Sequence, residues 1–180
     1  VLVKNWEEEE LGMAFSKENP VLRKEFNQFL VEMRAAGVLN LIAKKWVYHS
    51  DTAQMPDLSH VSRSGKPIVV AVAPMPAFVF KKGDGMAGID IEIVERFAAY
   101  LHRPIQINVL KSGGLMAAIT SSRADMAAAG IAITKEREKE VDFSDCYNVG
   151  CCDIVILSEN SANPPQQVKS EISFLKKIGN

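Results

Sequence analysis

Long apolar runs are missing from this sequence. The most hydrophobic stretch, Ile68 to Phe80, is broken by Pro74 and Pro76, and a membrane helix needs roughly 18 uninterrupted apolar residues. An excess of basic residues is missing too. The 21 Lys and Arg face 22 Asp and Glu, a formal charge of -1, which argues against nucleic acid as a partner. Cysteine is scarce: Cys146, Cys151 and Cys152 form an odd set with no C-x-x-C pair. They make a poor zinc site and read as free thiols acting as small hydrophobes. His49, His60 and His102 are scattered without ligand spacing, so no metal and no cofactor is implied. No P-loop and no G-x-S-x-G elbow occurs. Gly83-Asp84-Gly85-Met86-Ala87-Gly88 matches G-x-G-x-x-G. However, Lys81 to Gly85 reads as a hairpin turn, and the next strand ends at Leu110-Lys111-Ser112 without the acid a dinucleotide ribose requires. Asp142 and Asp145, near Arg137 and Lys139, read as ion-paired rather than as an acid–base couple. With no catalytic constellation, the chain reads as a non-enzyme.

What is present suits a packed domain. Hydrophobic residues make up 47% and charged residues 24%, against disorder. The opening Val1 to Trp6 does not read as a secretory leader; either a signal has been removed or the chain is an excerpt from a longer protein, and the excerpt is the expectation. Glu7 to Glu10 is expected to be a solvated run or a helix start. Residues 11 to 16 read as a short strand. Asn19-Pro20 then opens a helix, with Asn capping and Pro in the first turn. Leu22, Phe26, Phe29 and Met33, with Leu30, line its apolar face, and Gly37 ends it. A second short helix spans 38–46. Residues 48–66 are polar and aperiodic and read as a linker.

From Pro67 the pattern becomes α/β. Strands are expected at 68–73, 105–110, 125–129 and 154–157, with an extended piece at 78–81. Helices are expected at 90–101, 114–122 and 134–140. Alternation of this kind implies a mainly parallel sheet covered by helices on both faces. Residues 158–167 are linker-like, and Ile172, Leu175 and Ile178 suggest a terminal helix.

The segment that carries chemistry is Ala129 to Arg137. Thr134 is placed to cap a helix, which puts Arg137 in its first turn. That is the wrong end for a cation, because the helix N-terminus is already partly positive. The compensating charge is either internal (Glu136, Glu138, Asp142 or Asp145) or a ligand carboxylate held in a two-bond fork. Gly130, beside the C-terminal end of a strand, lies where open α/β sheets bind ligands.

Ala129 to Asp145, AGIAITKEREKEVDFSD, resembles the signature of family 3 of the bacterial extracellular solute-binding proteins. The Gly88-Ile89-Asp90 helix start, Gly114-Leu115 and Ala118-Ile119 are similar to that family in the same order. Residues 67–158 thus resemble the opening half of a receptor's first lobe. Residues 11–47, through Gly12 to Asn19, Leu22, Asn27, Gly37 and Lys45-Trp46, resemble the closing segment of such a lobe. The resemblance implies a type 2 periplasmic-binding-protein lobe in permuted segment order, with 1–47 and 67–158 packing as one lobe or exchanging between chains in a domain-swapped dimer. It also implies a polar amino acid or similar small solute as ligand and a membrane ABC permease as partner. The implied location is the periplasmic or extracellular face of the cytoplasmic membrane, within a larger membrane-associated protein. A sensor or structural module of the same fold is the alternative; the receptor-like domain of a cell-wall lytic enzyme is a remoter one. Carried over by position, the ligand site comprises Arg137, Gly130, Ala132, Met75 and Ser112, with Val72 at the end of the first strand. Gly130 and Arg137 keep the family's residue types. Val72, Met75, Ser112 and Ala132 do not, which implies a weakened clamp for an amino group.

Overall fold

The structure, a computed structural model, describes residues 2–155. The expected tail linker and terminal helix lie outside the described residues, as do the last two residues of the strand expected at 154–157. The elements run β1 (Leu2–Leu11), β2 (Ala14–Phe15), α1 (Pro20–Ala35), α2 (Val38–Tyr48), β3 (Ile68–Val72), β4 (Phe80–Lys82), β5 (Gly85–Ala87), α3 (Ile89–Tyr100), β6 (Ile105–Val109), a 3-10 turn (Ser112–Gly114), α4 (Leu115–Thr120), β7 (Met126–Ala128), α5 (Lys135–Glu140), β8 (Asp142–Phe143) and β9 (Asn148–Val155).

Five strands form the central sheet in the order β6-β3-β7-β2-β8. β3 runs parallel to β6 and β7, while β2 is antiparallel to both β7 and β8. The sheet is therefore mainly parallel, with one reversed strand. That strand comes from the N-terminal segment and fills the gap between β7 and β8 of the same chain. The domain-swapped pairing considered above is not the arrangement found here, because β2 already has both neighbours within its own chain.

Alternation along the strands sends side chains to two cores. Ile68, Val70 and Val72 of β3, Phe15 of β2, and Met126 and Ala128 of β7 face α1, α2 and α3. Ala71 and Ala73, Ala14, and Ala127 and Ala129 face the opposite side, against Leu115, Ala118 and Ile119 of α4. The small residues on that side let the short α4 sit close to the sheet. The aromatic face of α1 packs as read: Phe26 lies 5.4 Å from Phe15 and 4.9 Å from Phe97, ring centroid to centroid. Asn19 caps α1 by accepting from the Leu22 amide, and Gly37 takes the left-handed conformation (φ 70°) just beyond it. The Lys81–Gly85 turn forms the hairpin β4–β5, with Lys82 opposite Gly85. Gly85 is thus a strand residue rather than part of a phosphate-binding loop.

The two segments are stapled at α2 and α3. Glu92, 1% exposed, accepts from Trp46 Nε1 at 2.7 Å, pairs with Arg96 at 2.9 Å and also pairs with Lys45. Asn27 and Asp145 exchange two hydrogen bonds of 2.9 and 3.0 Å. The connecting stretch contains no helix or strand between 49 and 67, yet it is pinned. Lys82 Nζ donates to the Ser50 and Asp51 carbonyls, Arg63 pairs with Glu95, and Ala53 is buried.

Two readings of charged residues are corrected. Glu7 to Glu10 is not a helix start, although Glu10 is exposed as a solvated run requires. It belongs to β1, whose register with β9 runs from Leu2↔Val155 to Leu11↔Asn148, with one irregularity between Val3 and Glu7. The partner lies more than a hundred residues away, so no local pattern reports it. Asp142 and Asp145 do not pair with Arg137 and Lys139. Asp142 faces Arg23 at 3.4 Å and Asp145 faces Asn27, both on α1. Helix α1 reaches these acids because β2 carries the N-terminal segment into the sheet beside β8.

Candidate functional site

The parallel strands end level with one another: Val72 lies opposite both Val109 of β6 and Ala128 of β7. Loops leaving these ends form one edge of the sheet, and the residues singled out from the sequence sit along it. Met75 follows β3, Ser112 follows β6, and Gly130 and Ala132 follow β7 and lead into α5 with Arg137. Two of these residues are buried: Ala132, 8% exposed, packs in the same core cluster as Val72, and Val72 goes furthest. It is fully buried in the core and lines no surface. Met75 is 39% exposed, and Ser112 is exposed in the 3-10 turn.

Gly130 adopts φ 57°, and a Cβ there would stand 3.1 Å from the Phe78 ring. Two requirements therefore call for glycine: a left-handed backbone and close approach of an aromatic ring. The following residues run beside the end of β1. The Gly12 amide donates to the Ile131 carbonyl at 3.0 Å, and the Ile133 amide to the Glu10 carbonyl at 2.8 Å. Ala132 and Leu11 thereby face each other as an isolated bridge, and Ala132's own amide and carbonyl turn away from it. The carbonyl accepts from Arg137 Nη1 at 2.7 Å; among the described residues nothing accepts from the amide.

Thr134 caps α5, its hydroxyl accepting from the Arg137 amide at 3.3 Å. Arg137 thus stands in the first helical turn, as the sequence indicates. Of the two sources of compensating charge, the internal one is not used: none of Glu136, Glu138, Asp142 and Asp145 pairs with it among the described residues. Arg137, Ala132 and Gly130 are brought together by bonds and chain continuity. Met75 and Ser112 share the edge without a hydrogen bond to them.

Sequence reasoning missed the groups beneath this edge. Asp90, in the first turn of α3, is fully buried. One carboxylate oxygen accepts from the Gly130 amide at 2.8 Å and the other from the Tyr147 hydroxyl at 2.6 Å. Burial raises its pKa to about 6, although both hydrogen bonds favour the charged form. Burial and the neighbouring Asp90 push the Tyr147 hydroxyl well above the usual phenol range. The sequence marked Asp90 only as part of the Gly88-Ile89-Asp90 helix start; its place in an otherwise apolar run was a further signal. Phe78 was read only as part of an extended piece. Its turn docks on α3 through Ile89 and Asp90 amides donating to the Ala77 and Phe78 carbonyls. Cys146 is free and partly buried, and burial raises its thiol pKa. Among the described residues no cluster of three or more His, Cys, Asp or Glu side chains could hold a metal ion, and no helix is long and apolar enough to cross a membrane.

Residues 68–178, more than half of the 180, match the profile of the family described as bacterial extracellular solute-binding proteins, family 3. The N-terminal segment lies outside that match. The arginine-binding extracellular protein ArtP of Bacillus subtilis is 34% identical over 88 residues, covering 48% of this chain and 34% of that protein. The L-cystine-binding protein TcyJ of Escherichia coli is 29% identical over 93 residues, covering 51% and 35%. The chain therefore spans about a third of the length of these curated relatives. Among solved structures, an ancestral cyclohexadienyl dehydratase is 21% identical (TM-score 0.38, covering 51% of this chain and 38% of that one). A phosphate-binding protein of a Streptococcus pneumoniae ABC transporter is 14% identical (TM-score 0.43, covering 79% and 49%). Likenesses this distant carry no argument about activity.

Proposed function

The chain belongs to family 3 of the bacterial extracellular solute-binding proteins, and on that premise we propose that it is one lobe of an amino-acid-type receptor serving an ABC importer. The observation that supports this most is Arg137. Its guanidinium has no acid partner among the described residues, and it sits beside an unengaged Ala132 amide at the C-terminal edge of the sheet. A carboxylate would accept from both. Gly130 supplies the left-handed turn that leads into this segment, and Met75 and Ser112 border the solute from the neighbouring loops. Binding is non-catalytic.

The lobe is assembled in permuted order in this reading: residues 1–47 act as the closing segment, 48–66 connect, and 67–158 act as the opening segment. The position of β2 between β7 and β8 and the Glu92 staple support it. The solute is a polar amino acid, by analogy with the arginine-binding and cystine-binding relatives, and the partner is a permease at the outer face of the cytoplasmic membrane.

One observation favours a second reading, a sensor or structural module with little affinity. Val72 is buried, and the Met75 and Ala132 side chains offer no oxygen acceptor for an ammonium group. Calorimetric titration with a panel that includes L-arginine and L-cystine separates the two. Binding that disappears in Arg137→Ala supports the receptor reading, and a folded chain that binds none of the panel supports the module. Binding that survives in Arg137→Ala refutes the site assignment.

A further inference from the structure

We propose that Asp90 is a positioning residue that ties the Gly130 turn to the root of the β1–β9 ribbon. The assignment rests on the reading of Gly130 to Arg137 as the solute site. Asp90 sits in the first turn of α3 but does not cap it, because the cap is Gly88 and has no side-chain bond. Its two oxygens leave the helix in different directions, one to the Gly130 amide and one to the Tyr147 hydroxyl. Tyr147 immediately precedes β9, and its own amide donates to the Leu11 carbonyl at 3.0 Å. Leu11 ends β1 opposite Asn148 and faces Ala132 across the isolated bridge. The contacts therefore close a ring: Gly130, Asp90, Tyr147, Leu11, Ala132 and back to Gly130 through Ile131.

The Gly130 turn and the start of β9, both distant from α3 in the chain, are thereby held by one carboxylate. An apolar side chain at 90 would avoid burying a charge, but it would leave the Gly130 amide and the Tyr147 hydroxyl without their acceptor. Gly130 itself cannot hold its place by backbone preference, since glycine populates many conformations. The ring supplies that constraint. It fixes the turn from which the Ala132 amide and Arg137 are presented, and it fixes that turn relative to the ribbon.

The test is amide hydrogen exchange and chemical shift on the 15N-labelled full chain, which needs no ligand. Asp90→Asn keeps the shape and one acceptor oxygen but removes the charge. The Gly130 amide should move upfield of its wild-type position and exchange about tenfold faster, together with Tyr147, while β3 and β6 amides keep their rates. Tyr147→Phe, which leaves the carboxylate intact, should accelerate exchange at Tyr147 and Asn148 and shift the Gly130 amide; it also serves if Asp90→Asn fails to fold. An unchanged Gly130 amide in these variants would overturn the proposal, as would acceleration spread evenly over β3 and β6. In parallel, L-arginine is titrated into the wild-type chain and both variants. Loss of L-arginine binding in Asp90→Asn with the fold retained supports the positioning role, and unchanged affinity in that variant counts against it. A wild-type chain that binds no L-arginine bears on the solute reading alone, and the exchange result still decides the role of Asp90.

Discussion

Asp90 makes stability depend on pH in a direction opposite to most carboxylates. Its folded-state pKa is about 6, against an ordinary value of 3.8. Well below pH 3.8 the group is protonated in both folded and unfolded chains and costs nothing. As pH rises, the unfolded chain ionises first, while the folded chain must either keep the proton or bury a charge. Its contribution therefore declines between about pH 4 and pH 6 and is constant above. The difference of about two pKa units corresponds to about 3 kcal/mol. Asp90→Asn removes the titration. Urea unfolding followed by tryptophan fluorescence at pH 4, 5, 6 and 7 should show the variant's stability, relative to wild type, rising by about 2–2.5 kcal/mol across that range. The comparison cancels titrations common to both chains. Parallel pH profiles, or a relative stability that falls with pH, would refute the reasoning that burial outweighs the two hydrogen bonds at Asp90.

Other expectations follow from close contacts and shared charges. Gly88→Ala should cost about 3 kcal/mol or more, because the new Cβ would lie 2.3 Å from the Phe78 carbonyl oxygen at φ 125°; a folded variant with near-wild-type Tm would contradict this. Gly130→Ala should cost about 1–2 kcal/mol, since the Phe78 side chain can yield a few tenths of an ångström more readily than backbone can; chemical denaturation measures it. Replacing both Lys45 and Arg96 by Met strips Glu92 of its cations and should cost about 3–5 kcal/mol, much of it recovered by adding Glu92→Gln. Failure of the third substitution to recover stability would show that the penalty is not the uncompensated charge. Asn27→Ala should cost about 1 kcal/mol through loss of the reciprocal pair with Asp145, read as a shift in denaturation midpoint at unchanged slope.

Local signals were legible wherever a residue acts on its own neighbourhood. Asn19-Pro20 starts α1 and Gly37 follows its end because capping needs only the next few amides. The Lys81–Gly85 hairpin, the α3 apolar face and the Thr134 cap are of the same kind, and so is the placement of Arg137 in the first turn of α5. The alternation of strand and helix sufficed for a mainly parallel sheet. The family signature located Gly130 and Arg137 at its edge.

What the chain does at long range was decided by tertiary structure. A glutamate run became strand β1 because β9 supplies its ladder from the far end of the described chain. Asp142 and Asp145 turned to Arg23 and Asn27, because β2 brings α1 within reach of acids more than a hundred residues later. Val72 joined the core rather than the site, since alternation along β3 points it toward the α1–α3 face. Asp90 is the sharpest case. An acid two residues after a helix-starting glycine is ordinarily a solvated, dipole-compatible group. Only the closure of α3 over the sheet dries it and places the Gly130 amide and Tyr147 hydroxyl on its two oxygens. Sequence alone determined which residues could start, cap and line each element. Burial and partner choice depend on which distant segments share a sheet, and that is a property of the folded chain.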